Sequence, residues 1–81
     1  MHLVELTEYL IKSLVKDPEM VSVKKFDDEE DVTTIQVLVN QDDMGAVIGR
    51  GGATANAIRT LIQASAYINK DKKVKINIDS F

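Results

Sequence analysis

Two hydrophobic periods run along the chain, one helical and one of alternation, and together they divide it into six elements. Residues 2–16 repeat at helical spacing: Leu3, Leu6, Leu10 and Leu14 form a stripe that Val4, Ile11 and Val15 widen. Glu5 and Glu8 stand near the start of this segment and Lys12 and Lys16 near its end, the distribution that a helix dipole favours. Glu8 and Lys12 form an i,i+4 pair of favourable orientation. Asp17-Pro18 ends the helix. Met20–Phe26 then predicts a strand with Val21 and Val23 on one side. Val32–Val39 predicts a clearer one, in which Ile35, Val37 and Val39 alternate with Thr34, Gln36 and Leu38.

Between these strands lie Asp27, Asp28, Glu29, Glu30 and Asp31. A run of like charges resists burial, so it reads as the exposed turn of a hairpin. It has neither the ligand spacing nor the glycine of an EF-hand calcium loop. Asn40, Gln41, Asp42 and Asp43 precede a short helical turn, Met44–Ile48, and Asn and Asp there read as N-caps. The segment Ala53–Ile68 has the spacing of a long helix, with Thr54, Ile58, Leu61, Ile62, Ser65 and Ile68 along one face. Its alanines, at 53, 55, 57, 64 and 66, favour helix and permit close approach of neighbours. A polar loop, Asn69–Lys73, leads to a last strand in which Val74, Ile76 and Ile78 alternate with Lys75, Asn77 and Asp79. The order α-β-β-α-α-β implies an α+β domain, a three-stranded sheet covered on one face by helices.

The stretch Val47-Ile48-Gly49-Arg50-Gly51-Gly52 stands apart from this patterning. One glycine suffices for a sharp turn between helices, and three around a basic side chain exceed that need. A glycine-rich turn that opens a helix brings backbone N–H groups close to a phosphate. The nucleotide-binding loops do not fit. No lysine follows as a P-loop requires, the third glycine of a dinucleotide fingerprint is missing, and a helical turn stands where both need a strand.

Length and composition narrow the remaining choices. Eighty-one residues, 1–81, make one domain with one modest core and no deep enclosed active site. There is no cysteine, and the single histidine, His2, stands at the N-terminus, so neither a disulfide framework nor a zinc site is expected. No nucleophile–base pair or metal set appears, which argues against an enzyme, and no cofactor is expected. No apolar run approaches the ~20 residues of a membrane span, so the expectation is a soluble cytoplasmic protein. The net charge is −3, but it is unevenly divided. Residues 1–43 carry four basic and eleven acidic groups, a balance of −7; residues 44–81 carry six basic and two acidic, a balance of +4. The glycine loop lies in the positive half, as a polyanion partner would require.

G-x-x-G between two closely linked helices is the signature of the KH fold. Gly49-Arg50-Gly51-Gly52 fits it, preceded by Val47-Ile48. The tract from Asp43 to Gly52, continuing to Ala57-Ile58-Arg59-Thr60-Leu61, resembles the small bacterial stand-alone KH proteins of the KhpA type, and the resemblance covers essentially the whole chain. It implies the type II KH fold, with a helix and strand preceding the βααβ core, and single-stranded RNA binding as an RNA chaperone or post-transcriptional regulator. It also implies a homodimer, or a heterodimer with a KH protein of the Jag/KhpB type. The glycines at 49, 51 and 52 would let a sugar–phosphate strand approach the backbone, with the charge of Arg50 over the phosphates. Bases would lie in a groove floored by Val47, Ile48, Ala53 and Ala57, with Lys72 and Lys73 of the last loop holding the backbone on the far wall. Arg59, two turns beyond Gly52, would contact RNA or a partner, or stand in solvent. Proteins of this type commonly carry Gln where Gly51 stands. Tyr9, Phe26, Tyr67 and Phe81 lie outside the motif, so base stacking contributes little and affinity is expected near micromolar, about −8 kcal/mol. The competing expectation is a KH-fold protein-interaction module with little or no RNA binding.

Overall fold

The alternation in Val32–Val39 is realised as the central strand of the sheet, with Thr33, Ile35, Val37 and Val39 buried and the residues between them half-exposed. The computed structural model of the chain describes residues 3–81, the side chains of Asp28 and Glu29 excepted. His2, the first residue of the expected N-terminal helix, lies outside the described residues. The elements are α1 (Leu3–Lys12), β1 (Ser22–Glu29), β2 (Val32–Val39), α2 (Met44–Ile48), α3 (Ala53–Ile68) and β3 (Lys73–Ser80), the α-β-β-α-α-β order that the periodicities predict.

The sheet order is β1-β2-β3. β1 and β2 pair antiparallel as the hairpin expected, with Val23 opposite Val37 and Lys25 opposite Ile35. β3 pairs parallel to β2, with Ile35 opposite Ile76 and Val37 opposite Ile78. Adjacent parallel strands require a crossover, and α2 and α3 supply it. The helices pack on one face of the sheet around Ile11, Ile35, Val37, Val39, Val47, Ile58, Ile62, Ala66, Val74 and Ile76. On α3 the buried stripe is Ala55, Ile58, Ile62 and Ala66. Leu61 and Ile68, expected on that face, are exposed, because the two alanines let the helix sit close to the sheet and turn those side chains out.

The bounds of α1 and β1 differ from expectation: β1 begins at Ser22 and not at Met20, which closes a 3-10 turn begun at Pro18. α1 ends at Lys12 rather than residue 16. The Ser13 hydroxyl donates to the Tyr9 carbonyl at 2.6 Å and the Leu14 N–H to Ile11 at 3.0 Å, a tightening turn. The acidic run is not all turn: β1 extends through Asp27 to Glu29, across a bulge, and only Glu30-Asp31 turn. Asp27 tolerates the strand because it is neutralised there. The Thr33 hydroxyl donates to it at 2.7 Å, and Lys25 and Lys72 approach to 3.7 and 3.9 Å. That hydrogen bond first, and the two ammonium groups after it, hold the Asp27 carboxyl below its ordinary value. A carboxyl lowered in the folded state stabilises fully above its unfolded-state value, and the effect is lost as pH falls through the folded one. Melting temperatures of the wild type and Asp27→Asn are therefore expected to differ at neutral pH and to converge between roughly pH 5 and pH 2. A gap that persists at the acid end contradicts this.

Candidate functional site

The glycine loop sits at the middle of the crossover, where α2 hands over to α3. Its support begins with the turn after β2. The Asn40 side chain accepts the Asp42 N–H at 3.0 Å, the cap expected of it. Asp43 does something else. It caps nothing in its own helix; it is 3% exposed and accepts the backbone N–H groups of Lys16 and Asp17 at 3.0 and 3.2 Å. One carboxylate thus fastens the chain after α1 to the start of α2. It also explains why α1 stops early, since the N–H of Lys16 bonds Asp43 and not a helix carbonyl.

α2 closes at Gly49, whose N–H donates to the Gly45 carbonyl at 2.9 Å. Gly49 has φ 75° and ψ 174°, a region that side chains other than glycine's essentially do not reach. It also lies against Thr54: a Cβ there would collide with the Thr54 hydroxyl and stand 2.9 Å from the Thr54 backbone nitrogen. Gly51 (φ 62°, ψ 19°) and Gly52 (φ 82°, ψ 9°) are left-handed, and around Gly51 there is open space. Gly52 and Ala53 turn their N–H groups to the Gly49 and Arg50 carbonyls, so these two donors serve the turn itself. No side chain caps the start of α3. Arg50, Gly51 and Ala53 are exposed and Ile48 is half-buried.

Three of the expected site residues are placed differently. Val47 is wholly buried in the core, where Met44 of the same five-residue α2 also packs; it supports the loop from beneath and does not floor a groove. Lys72 and Lys73 lie beyond the C-terminal end of α3, a helix of 16 residues and therefore about 24 Å long, with the glycine loop at its other end. Lys72 stands beside Asp27. Lys73 opens β3 opposite Val32, with its side chain on the sheet face away from the helices, since the buried positions of the strand are Val74 and Ile76.

What connects the two ends is a polar stripe on α3. Asn56, Arg59 and Gln63 are 3 and 4 positions apart and face β3. Arg59 is not in solvent: it is half-buried, donating from Nε to the Ile76 carbonyl at 3.4 Å and from Nη1 to the Asn56 side chain at 3.2 Å. Gln63 donates to the Val74 carbonyl at 3.3 Å. β3 is an edge strand, and these side chains cover carbonyls on its open edge. The helical spacing of three hydrogen-bonding side chains after Gly52 was the signal available in the sequence. Among the described residues no group of His, Asp and Glu is arranged to hold a metal ion, and no helix is long and apolar enough to cross a membrane.

The KhpA/KhpB KH-domain family matches residues 4–79. The RNA-binding protein KhpA of Clostridium perfringens is 45% identical over 74 residues, covering 91% of this chain and 96% of that protein. The RNA-binding protein KhpA of Thermotoga maritima is 36% identical over 72 residues, covering 89% and 95%. Among solved structures, Era in complex with MgGDPNP and nucleotides 1506–1542 of 16S ribosomal RNA superposes with a TM-score of 0.64 at 15% identity, over 96% of this chain and 29% of Era. A point variant of Aquifex aeolicus Era bound to GDP.AlF4- superposes with a TM-score of 0.67 at 14% identity, over 98% and 30%. At such identities these two likenesses concern the fold.

Proposed function

Since this chain belongs to the KhpA/KhpB KH-domain family, we propose that it acts as a single KH domain, residues 1–81, that binds single-stranded RNA through the Gly49–Gly52 loop and the groove between α3 and β3. The family is one of RNA-binding proteins and not of enzymes. The observation that carries the reading is the loop itself: three glycines at positive φ, Arg50 exposed among them, and open space at Gly51 at the uncapped start of a helix. A sugar–phosphate chain approaches such a surface closely, and Arg50 places its charge over the phosphates. About four nucleotides then run along the groove. Ile48, Ala53 and Ala57 offer apolar contact, and Asn56, Arg59 and Gln63 offer hydrogen bonds to base edges.

Titration of labelled single-stranded RNA with the wild type and with Arg50→Asp/Gly51→Asp tests this. Aspartate tolerates the left-handed backbone and the open space at Gly51, so the variant is expected to fold, which circular dichroism checks. Its affinity is expected to fall by about a hundredfold, and the wild-type salt slope to be roughly −0.7 per phosphate contact. Equal binding by both proteins removes the loop as the site. Binding by neither, even at low salt, leaves the protein-interaction module as the reading.

A partner surface accompanies the groove. Leu61, Tyr67 and Ile68 are 55%, 86% and 76% exposed, and Leu61, Ala64 and Ile68 line a shallow apolar depression with Leu6 and Leu10 of α1. A patch of this kind fits a second KH protein, either another copy or one of the Jag/KhpB type. Pairing two weak sites raises avidity for one RNA through effective concentration, as a cytoplasmic RNA chaperone or post-transcriptional regulator would use it.

A further inference from the structure

We propose that the outer face of the sheet is a second RNA-contacting surface, which takes the strand as it passes from the groove around the edge of β3. The inference rests on the RNA-binding reading above. The register composes this face. Thr33, Ile35, Val37 and Val39 of β2 point to the helices, so Val32, Thr34, Gln36 and Leu38 point away, and the residues directly opposite them share that face. Lys24 and Asn77 flank Gln36; Phe26 and Lys75 flank Thr34; Glu29 and Lys73 flank Val32. The face therefore carries three ammonium groups, two amides and a phenyl ring that is 43% exposed.

The three lysines outnumber Glu29 and Asp79, the carboxylates that the register places on this face, in a chain that as a whole carries −3. The lysines on the two sides of the sheet also differ in their engagements. On the helix side Lys25 and Lys72 are both held by Asp27. On the outer side, among the described residues, Lys24, Lys73 and Lys75 make no ion pair; Asp79 shares this face toward the other end of β3, and Glu29 pairs with Val32 at the near end. Lys73 and Lys75 stand about 7 Å apart along the strand that borders the groove, so a chain leaving the end of α3 crosses the width of one strand, about 5 Å, to reach them. Phosphates complement the lysines, the amides hydrogen-bond sugars or base edges, and Phe26 offers a ring on which a base stacks.

Lys24→Gln/Lys73→Gln/Lys75→Gln, compared with wild type on a strand of about four nucleotides and one of about twelve, tests the surface. The short strand fills the groove alone, and its affinity is expected to be unchanged. The longer strand is expected to bind the wild type more tightly than the short one, and the triple variant about tenfold more weakly, with the salt slope reduced by roughly 2. Phe26→Leu, which keeps the bulk, is expected to weaken only the longer strand. If the wild type binds both lengths alike, or the triple variant keeps full affinity and slope on the longer strand, the outer face is not a binding surface while the groove stands. If the wild type binds neither strand, both readings fall.

Discussion

Replacing Asp43 by alanine is expected to lower the stability of the folded chain by about 3 kcal/mol, with a melting temperature more than about 10 °C below wild type. The magnitude follows from what the side chain does. It is buried and accepts two backbone N–H groups, those of Lys16 and Asp17, from residues 27 and 26 positions away. Hydrogen bonds to a charged acceptor contribute about 1.5–3 kcal/mol each, and truncation leaves two amide donors to find water in a partly buried site. Asp43→Asn keeps one acceptor oxygen, and about half of the loss is expected. Urea denaturation of the three proteins checks the series, and a loss below about 1 kcal/mol for alanine would show that the fastening is dispensable. Asp43 adjoins α2, and α2 carries the glycine loop, so the same bond that joins α1 to the crossover also sets where the loop sits.

Gly49→Ala is expected to weaken RNA binding by more than about tenfold while helix content is retained at low temperature. The native φ and ψ at this position are essentially closed to alanine, at a cost of about 1–3 kcal/mol, and the added methyl group meets Thr54. Combining it with Thr54→Ala is not expected to restore binding, because the backbone nitrogen of residue 54, 2.9 Å from the new atom, remains. The loop must move, and α2 and α3 no longer meet at the same angle. Gly51→Asn is the contrasting change. A side chain there enters open space, and asparagine accepts the left-handed backbone, so loss of binding is expected to be small. RNA titration beside thermal melting separates the two glycines; equal behaviour would contradict the geometry.

The periodicities were a sound guide where one face of an element is buried and the other wet. The alternation in β2 and β3 gave their extents almost to the residue, and the helical spacing gave α3 in full. They misled where a residue's environment comes from elsewhere in the chain. The acidic run looks like a turn from its charge, yet Asp27 belongs to β1 because Thr33, Lys25 and Lys72 surround it. Leu61 and Ile68 look like core from their type, yet the small side chains at 55 and 66 set the face that α3 presents to the sheet. Asp43 looks like a cap from its place before a helix, and its partners are two amides at the far end of α1's connector.

The order of elements, their periods and the run of three glycines around Arg50 are local properties, and local sterics and propensity were enough to read them. The parallel placement of β3 beside β2, the burial of Val47 and the course of α3 depend on pairings distant along the chain. Those pairings put Lys73 on the outer face of the sheet and Lys72 beside Asp27, some 24 Å of helix away from the glycine loop. A strand's two faces are distinguished only when something packs on one of them. Which lysines stand on the helix side of the sheet and which on its outer face was therefore decided by the packing of the helices.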